Sequence, residues 1–129
     1  MTDAERLAIE HACARLIALY ANYNDEGRWE DVAALYSDDG IMARPSAPDD
    51  HIVGREAILA SFTARPARSS RHLCTNIVID VVSPVEATGQ SAVALFMPDK
   101  APKLGWYHDR FVERDGRWLF AQRLGSLSF

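Results

Sequence analysis

The segment RSSRHLCTNIVID, Arg68 to Asp80, carries the side chains best placed to do chemistry. From Leu73 onward its β-branched residues predict a strand, and side chains alternate faces along a strand. His72, Cys74, Asn76 and Val78 then share one face, with Leu73, Thr75, Ile77 and Ile79 on the other. An imidazole is the natural general base near neutral pH once a second group fixes its tautomer. Cys74 reads either as a nucleophile or as a small hydrophobe lining a pocket. The second is simpler, because His72 is the only cationic candidate on its face. Asp25, in YNDEGRW, stands where a helix should end, and a carboxylate there opposes the helix macrodipole at a cost of about 0.3–1 kcal/mol. A solvated turn beside Arg28 accounts for it equally well. None of the four histidines, His11, His51, His72 and His108, has ligand spacing to another His, Cys or carboxylate, so no metal is expected.

These residues need elements to position them. Thr2 and Glu5 form a capping-box pattern opening a helix that runs to about Asn24, with Ile9, Cys13, Leu16, Tyr20 and Tyr23 on one face and Gly27 as its stop. A shorter helix carries Trp29, Val32, Ala33 and Tyr36. Asp38-Asp39-Gly40 reads as a turn into a short strand, Ile41 to Arg44, and PSAPDDHIV as a loop marked by Pro45 and Pro48. A third helix presents Ile58, Leu59 and Phe62 and closes at Pro66. Strands are predicted over His72–Val82, Ser91–Met97, Gly105–Arg114 and Arg117–Leu127, the last two joined by the hairpin signal Asp115-Gly116. Helices set apart from a strand meander mean an α+β fold.

A chain of 129 residues is long enough for one core and too short for two. Its 48% apolar and 25% charged residues are those of an ordinary globular protein. A net charge of −4 with no basic stripe argues against nucleic acid. Cys13 and Cys74 have no metal-type spacing, and the charged N-terminus MTDAERLAIEH does not resemble a secretory signal, so a cytoplasmic location is expected. No apolar run reaches membrane-spanning length.

The order of elements, with YANYNDEGRWEDVAALYSDDG, RHLCTN and YHDRFVERDGRWLFAQR, resembles the SnoaL-like families of the nuclear transport factor two superfamily. The resemblance spans nearly the whole chain, as one domain over residues 1–129. It implies a cone: a strongly curved antiparallel sheet around a deep apolar pocket, closed by the N-terminal helices. It also implies a homodimer through the outer sheet face, where Leu73, Ile77 and Ile79 would otherwise lie bare.

The nearest subset includes scytalone dehydratase and bile acid dehydratase, which pair a histidine with an aspartate. That pattern falls here on His72 and Asp25, with Tyr20 one turn earlier. Where scytalone dehydratase has a second pocket histidine, EATGQSAVALF places Ser91. Tyr107, Trp29, Tyr36, Phe62, Cys74, Asn76 and Trp118 join Ser91 as expected substrate contacts. The resemblance turns Tyr107 inward, which leaves His108 on the outside. Arg123 would hold a substrate carboxylate or phenolate if it faced inward, though the surface is the simpler place for it.

The function implied is a lyase or isomerase without cofactor, abstracting a proton next to a carbonyl of a small hydrophobic cyclic molecule such as a steroid, polyketide or aromatic catabolite. The alternatives are a small-molecule-binding module and an assembly subunit of the same fold.

Overall fold

A computed structural model describes all residues, Met1 to Phe129. Helix α1 (Asp3–Asp25) begins with the reciprocal capping box: the Glu5 amide donates to Thr2 Oγ1 at 3.1 Å and the Thr2 amide to Glu5 Oε2 at 3.2 Å. It ends two residues before Gly27, whose φ of +70° suits a residue without a β-carbon. Helix α2 (Trp29–Ala34) follows, then strands β1 (Tyr36–Arg44) and β2 (Ala47–Val53), helix α3 (Arg55–Thr63), and the meander β3 (Arg71–Ser83), β4 (Glu86–Phe96), β5 (Lys103–Arg114) and β6 (Arg117–Leu127). Asp115 and Gly116, both at positive φ, turn β5 into β6 as their sequence predicts.

The six strands form one curled, unclosed sheet in the order β2-β1-β6-β5-β4-β3. The fold is α+β, with the helices packed inside the curl. One pairing departs from the expected antiparallel pattern: β1 and β6 run parallel. The chain between them includes α3 and four strands, ample for the crossover that parallel neighbours need. Ile9, Cys13, Leu16, Ile17 and Tyr20 of α1 pack on Tyr36, Met42, Phe111 and Phe120 of the sheet and on Ile58 and Phe62 of α3.

Three further expectations are corrected. Residues 47–53 are an edge strand rather than a loop. PDDH shows no apolar alternation to mark it, and an edge tolerates Pro48. The Asp38-Asp39-Gly40 turn lies inside β1, where the register with β6 shifts between Tyr36 and Ile41. Third, strand parity on β3 changes partway. Thr75 pairs with Ala92 but Val78 with Gln90, so β3 carries one residue more than its partner there, and Asn76 takes a φ of +54°. This is a β-bulge. Beyond it Ile79 and Val81 turn toward the core while Val78 is exposed, the reverse of simple alternation.

Candidate functional site

Helix α1 ends against the start of β3, and that meeting builds the site. Asp25, the last residue of α1, has its Oδ1 2.6 Å from Nδ1 of His72, the second residue of β3. The backbone N–H of His72 donates to Asp25 Oδ2 at 2.8 Å, and Ser70 Oγ donates to Oδ1 at 3.2 Å. These donors offset the unfavourable end of the helix dipole. The Asp25 side chain is only 5% exposed and that of His72 13%. With Nδ1 committed to the carboxylate, Nε2 is left without a protein partner, on a ring that lines the neighbouring cavity.

That cavity is about 140 Å³. Tyr20 and Asn24 of α1, Met42 of β1, Phe62 of α3, Val93 of β4 and Tyr107 of β5 form its inner wall. Volumes of this size hold a single benzene-like ring, about 150 Å³ in an engineered apolar cavity. Tyr20 donates to Met42 Sδ at 3.5 Å and accepts from Tyr36 at 3.1 Å, so its hydroxyl is already engaged. The Tyr107 hydroxyl makes no hydrogen bond to protein. Burial raises the pKa values of Tyr20, Tyr36 and Tyr107 above the ordinary tyrosine value, against the opposing pull of Arg123, so all three stay protonated donors at neutral pH.

Arg123 is the largest departure from expectation. It is fully buried, with Nη1 2.8 Å from Asp109 Oδ2 and both side chains 0% exposed. Its guanidinium carbon lies 3.7 Å from the Tyr107 ring centroid, 4.6 Å from that of Tyr20 and 4.8 Å from that of Phe120. A second bulge explains the placement. Phe111 pairs with Phe120 and Arg110 with Gln122, so Ala121 is the extra residue and everything after it changes face. Burial pulls the Arg123 pKa down, but Asp109 and the tyrosines outweigh it and hold the group above its ordinary value. Asp109 is pushed up to about 6 by burial, with Arg123 opposing.

The expected site residues divide. His72, Tyr20, Phe62 and Tyr107 line the cavity, with Asp25 behind His72. Tyr36 is buried behind Tyr20, and Trp29 stacks on the far side of Phe62 at 5.4 Å, facing an outer groove. Ser91 is fully buried beneath the cavity, its Oγ unpartnered. Cys74 sits deeper along β3, its thiol kept protonated by burial. Asn76 is exposed at the bulge, which turns it away from the interior. Trp118 packs on the core opposite Glu113, at the hairpin end of the sheet. None of these last four lines the cavity.

Other lining residues were missed: Asn24, and the cations Arg44, Arg65, Arg68 and Lys103. Asn24 neighbours Asp25 in sequence. Arg65, Arg68 and Arg71 crowd the seven residues ahead of His72, a signal that was there to read.

The solved structures similar to this chain share its fold. A candidate scytalone dehydratase of Novosphingobium aromaticivorans is 26% identical, with a TM-score of 0.86 over 99% of this chain and 89% of that one. A variant of a Mycobacterium tuberculosis protein of unknown function is 27% identical, with a TM-score of 0.79 over 91% of this chain and 74% of the other. A hexachlorocyclohexane dehydrochlorinase of Novosphingobium barchaimii is 21% identical, with a TM-score of 0.84 over 99% and 92%. A sequence search of curated proteins found no match. The profile of the SnoaL-like domain matches residues 5–124, almost the whole chain, and the protein therefore belongs to the SnoaL-like family.

Proposed function

We propose that the protein is a lyase or isomerase in which His72 removes a proton from a carbon next to a carbonyl. The observation that carries this is the 2.6 Å contact between Asp25 Oδ1 and His72 Nδ1, on a ring that lines a cavity. Asp25 accepts from Nδ1–H, so the lone pair of the neutral ring is on Nε2, directed at a bound molecule. As Nε2 takes the proton, the carboxylate stabilises the imidazolium that forms. The developing enolate oxygen needs a donor, and Tyr107 is the cavity phenol whose hydroxyl is not already engaged. A hydroxyl on the next carbon would leave and give dehydration, the chemistry named for the 26% identical relative. Without such a group, return of the proton elsewhere gives isomerisation.

The substrate is a small molecule with one hydrophobic ring in the cavity; a larger ring system would have to extend into the outer groove. Two copies pair through the outer sheet face, where Leu73, Ile77, Val78 and Val82 of β3 are exposed. A second reading, binding without turnover, draws on Ser91: β4 gives the cavity Val93 and Leu95 and no proton donor.

The test is proton exchange. Cyclic ketones and β-hydroxyketones incubated with protein in D₂O would be followed by NMR for deuterium at the α-carbon. Wild type should exchange, and His72→Ala should be slower by about 10²–10⁴-fold with its fold intact. Exchange as fast in His72→Ala as in wild type would leave the binding reading in its place.

A further inference from the structure

The cavity is lopsided in charge. Arg44, Arg65, Arg68 and Lys103 line it, together with His72, and no aspartate or glutamate does. The whole chain carries a net charge of −4, so this concentration of cations runs against the average. None of the four has a carboxylate within ion-pairing distance; the ion pairs of the protein involve Arg28, Arg55, His72, Arg114 and Arg123.

Their hydrogen bonding is incomplete as well. Arg44 donates through Nη2 to the Ser61 carbonyl at 3.0 Å, but its Nε is buried without a partner. Arg65 Nε is buried and unpartnered too, and its guanidinium lies 4.1 Å over the Phe62 ring at the cavity wall. Burial, with Arg44 and Arg68 acting in the same direction, lowers the Arg65 pKa to about 10, so the three guanidinium groups feel one another. Like charges held together without counter-ions cost free energy, and each buried unpaired donor adds to that cost.

Arg44, Arg65 and Arg68, with Asn24, also line the outer groove next to the cavity. They stand at the junction of the two spaces. The acids of that groove are engaged, Asp25 with His72 and Glu26 with Arg28. An anionic group at the junction would supply the missing acceptors while its ring occupied the cavity beside His72. Planar guanidinium forks suit carboxylate and phosphate oxygens in particular.

From this we infer that the ligand is an amphipathic anion: one hydrophobic ring in the cavity and a carboxylate or phosphate on Arg44, Arg65 and Arg68. This deepens the lyase or isomerase reading and rests on it for the identity of the site, but binding can be measured apart from catalysis.

The experiment compares cinnamate, phenyl phosphate and uncharged cinnamamide by isothermal titration calorimetry. Wild type should bind at least one anion ten times more tightly than the amide, with affinity falling as salt rises from 20 to 300 mM. The stronger of the two identifies which anion the junction is built for. Arg65→Gln and Arg68→Gln together should abolish the preference, and Arg65→Lys should restore part of it. His72→Ala should keep the preference while losing any proton exchange, which separates the two readings. Equal binding of acid and amide by wild type, or no binding of either anion at millimolar concentration, would overturn the inference without any variant having to fold.

Discussion

Asp109 and Arg123 face each other across β5 and β6, 2.8 Å apart and closed to solvent on both sides. Each depends on the other. Arg123→Met keeps much of the bulk but leaves the Asp109 carboxylate buried without its counter-ion, and it should lose about 3–5 kcal/mol of stability in urea denaturation. Replacing both residues with apolar side chains of similar volume should lose far less, since a well-packed substitute removes both desolvation penalties.

Asp109 also gives stability a pH dependence of known sign. Its carboxyl is raised to about 6 by burial, with Arg123 opposing, from 3.8. The folded protein therefore binds this proton more readily than the unfolded chain does. This contribution is complete below pH 3.8, is lost as pH rises to about 6, and is level beyond. Against the acid loss from the other carboxylates, Asp109→Asn should show a different slope between these values and the same slope above them. Identical profiles would show that the pair stays fully ionised throughout.

The three buried phenols make an alkaline counterpart. Tyr20, Tyr36 and Tyr107 are all raised by burial, so they hold their protons past the pH, about 10, at which free tyrosine ionises. Absorbance at 295 nm should show fewer phenolates in the folded than in the denatured protein at pH 11. Stability from these groups is present below pH 10 and declines above it, because the unfolded chain releases its protons first.

Asp25→Asn tests the dyad more finely than removal of the histidine. An amide in place of the carboxylate can hold the other tautomer and cannot stabilise an imidazolium. Proton exchange should fall substantially, but by less than in His72→Ala. Tyr107→Phe should cost about 10²-fold if its hydroxyl meets the enolate oxygen. Tyr36→Phe, one residue further back, should cost little in rate.

The outer face offers a separate test. Sedimentation at micromolar concentration should give a dimer, and Leu73→Lys with Val78→Asp should give a folded monomer. A wild-type monomer would rule out the pairing.

Much of this arrangement was legible in the chain. Caps, helix periodicity and the Asp-Gly turn placed three helices and the meander. Motif resemblance led to His72 and Asp25, whose meeting depends on a helix end and a strand start 47 residues apart, beyond any local pattern. What alternation missed came from single extra residues. Asn76 reverses the later half of β3, and Ala121 turns Arg123 inward, because a period of two has no memory across a bulge. The arginines at the cavity mouth went unread for another reason. A charged loop is normally a solvated one, and only the fold shows Arg44 meeting Arg65.

The bulge at Asn76 makes β3 two short strands joined in series. Its first part faces the dyad side through His72 and Cys74; its second fills the core through Ile79 and Val81. The joint works like a reading-frame boundary. If residue 76 were drawn into regular extended pairing while the core half kept its register, His72 would swing to the outer face, silencing the site with every one of its own residues still present. Backbone conformation at one exposed position thus governs function as firmly as the chemistry of the residues it serves.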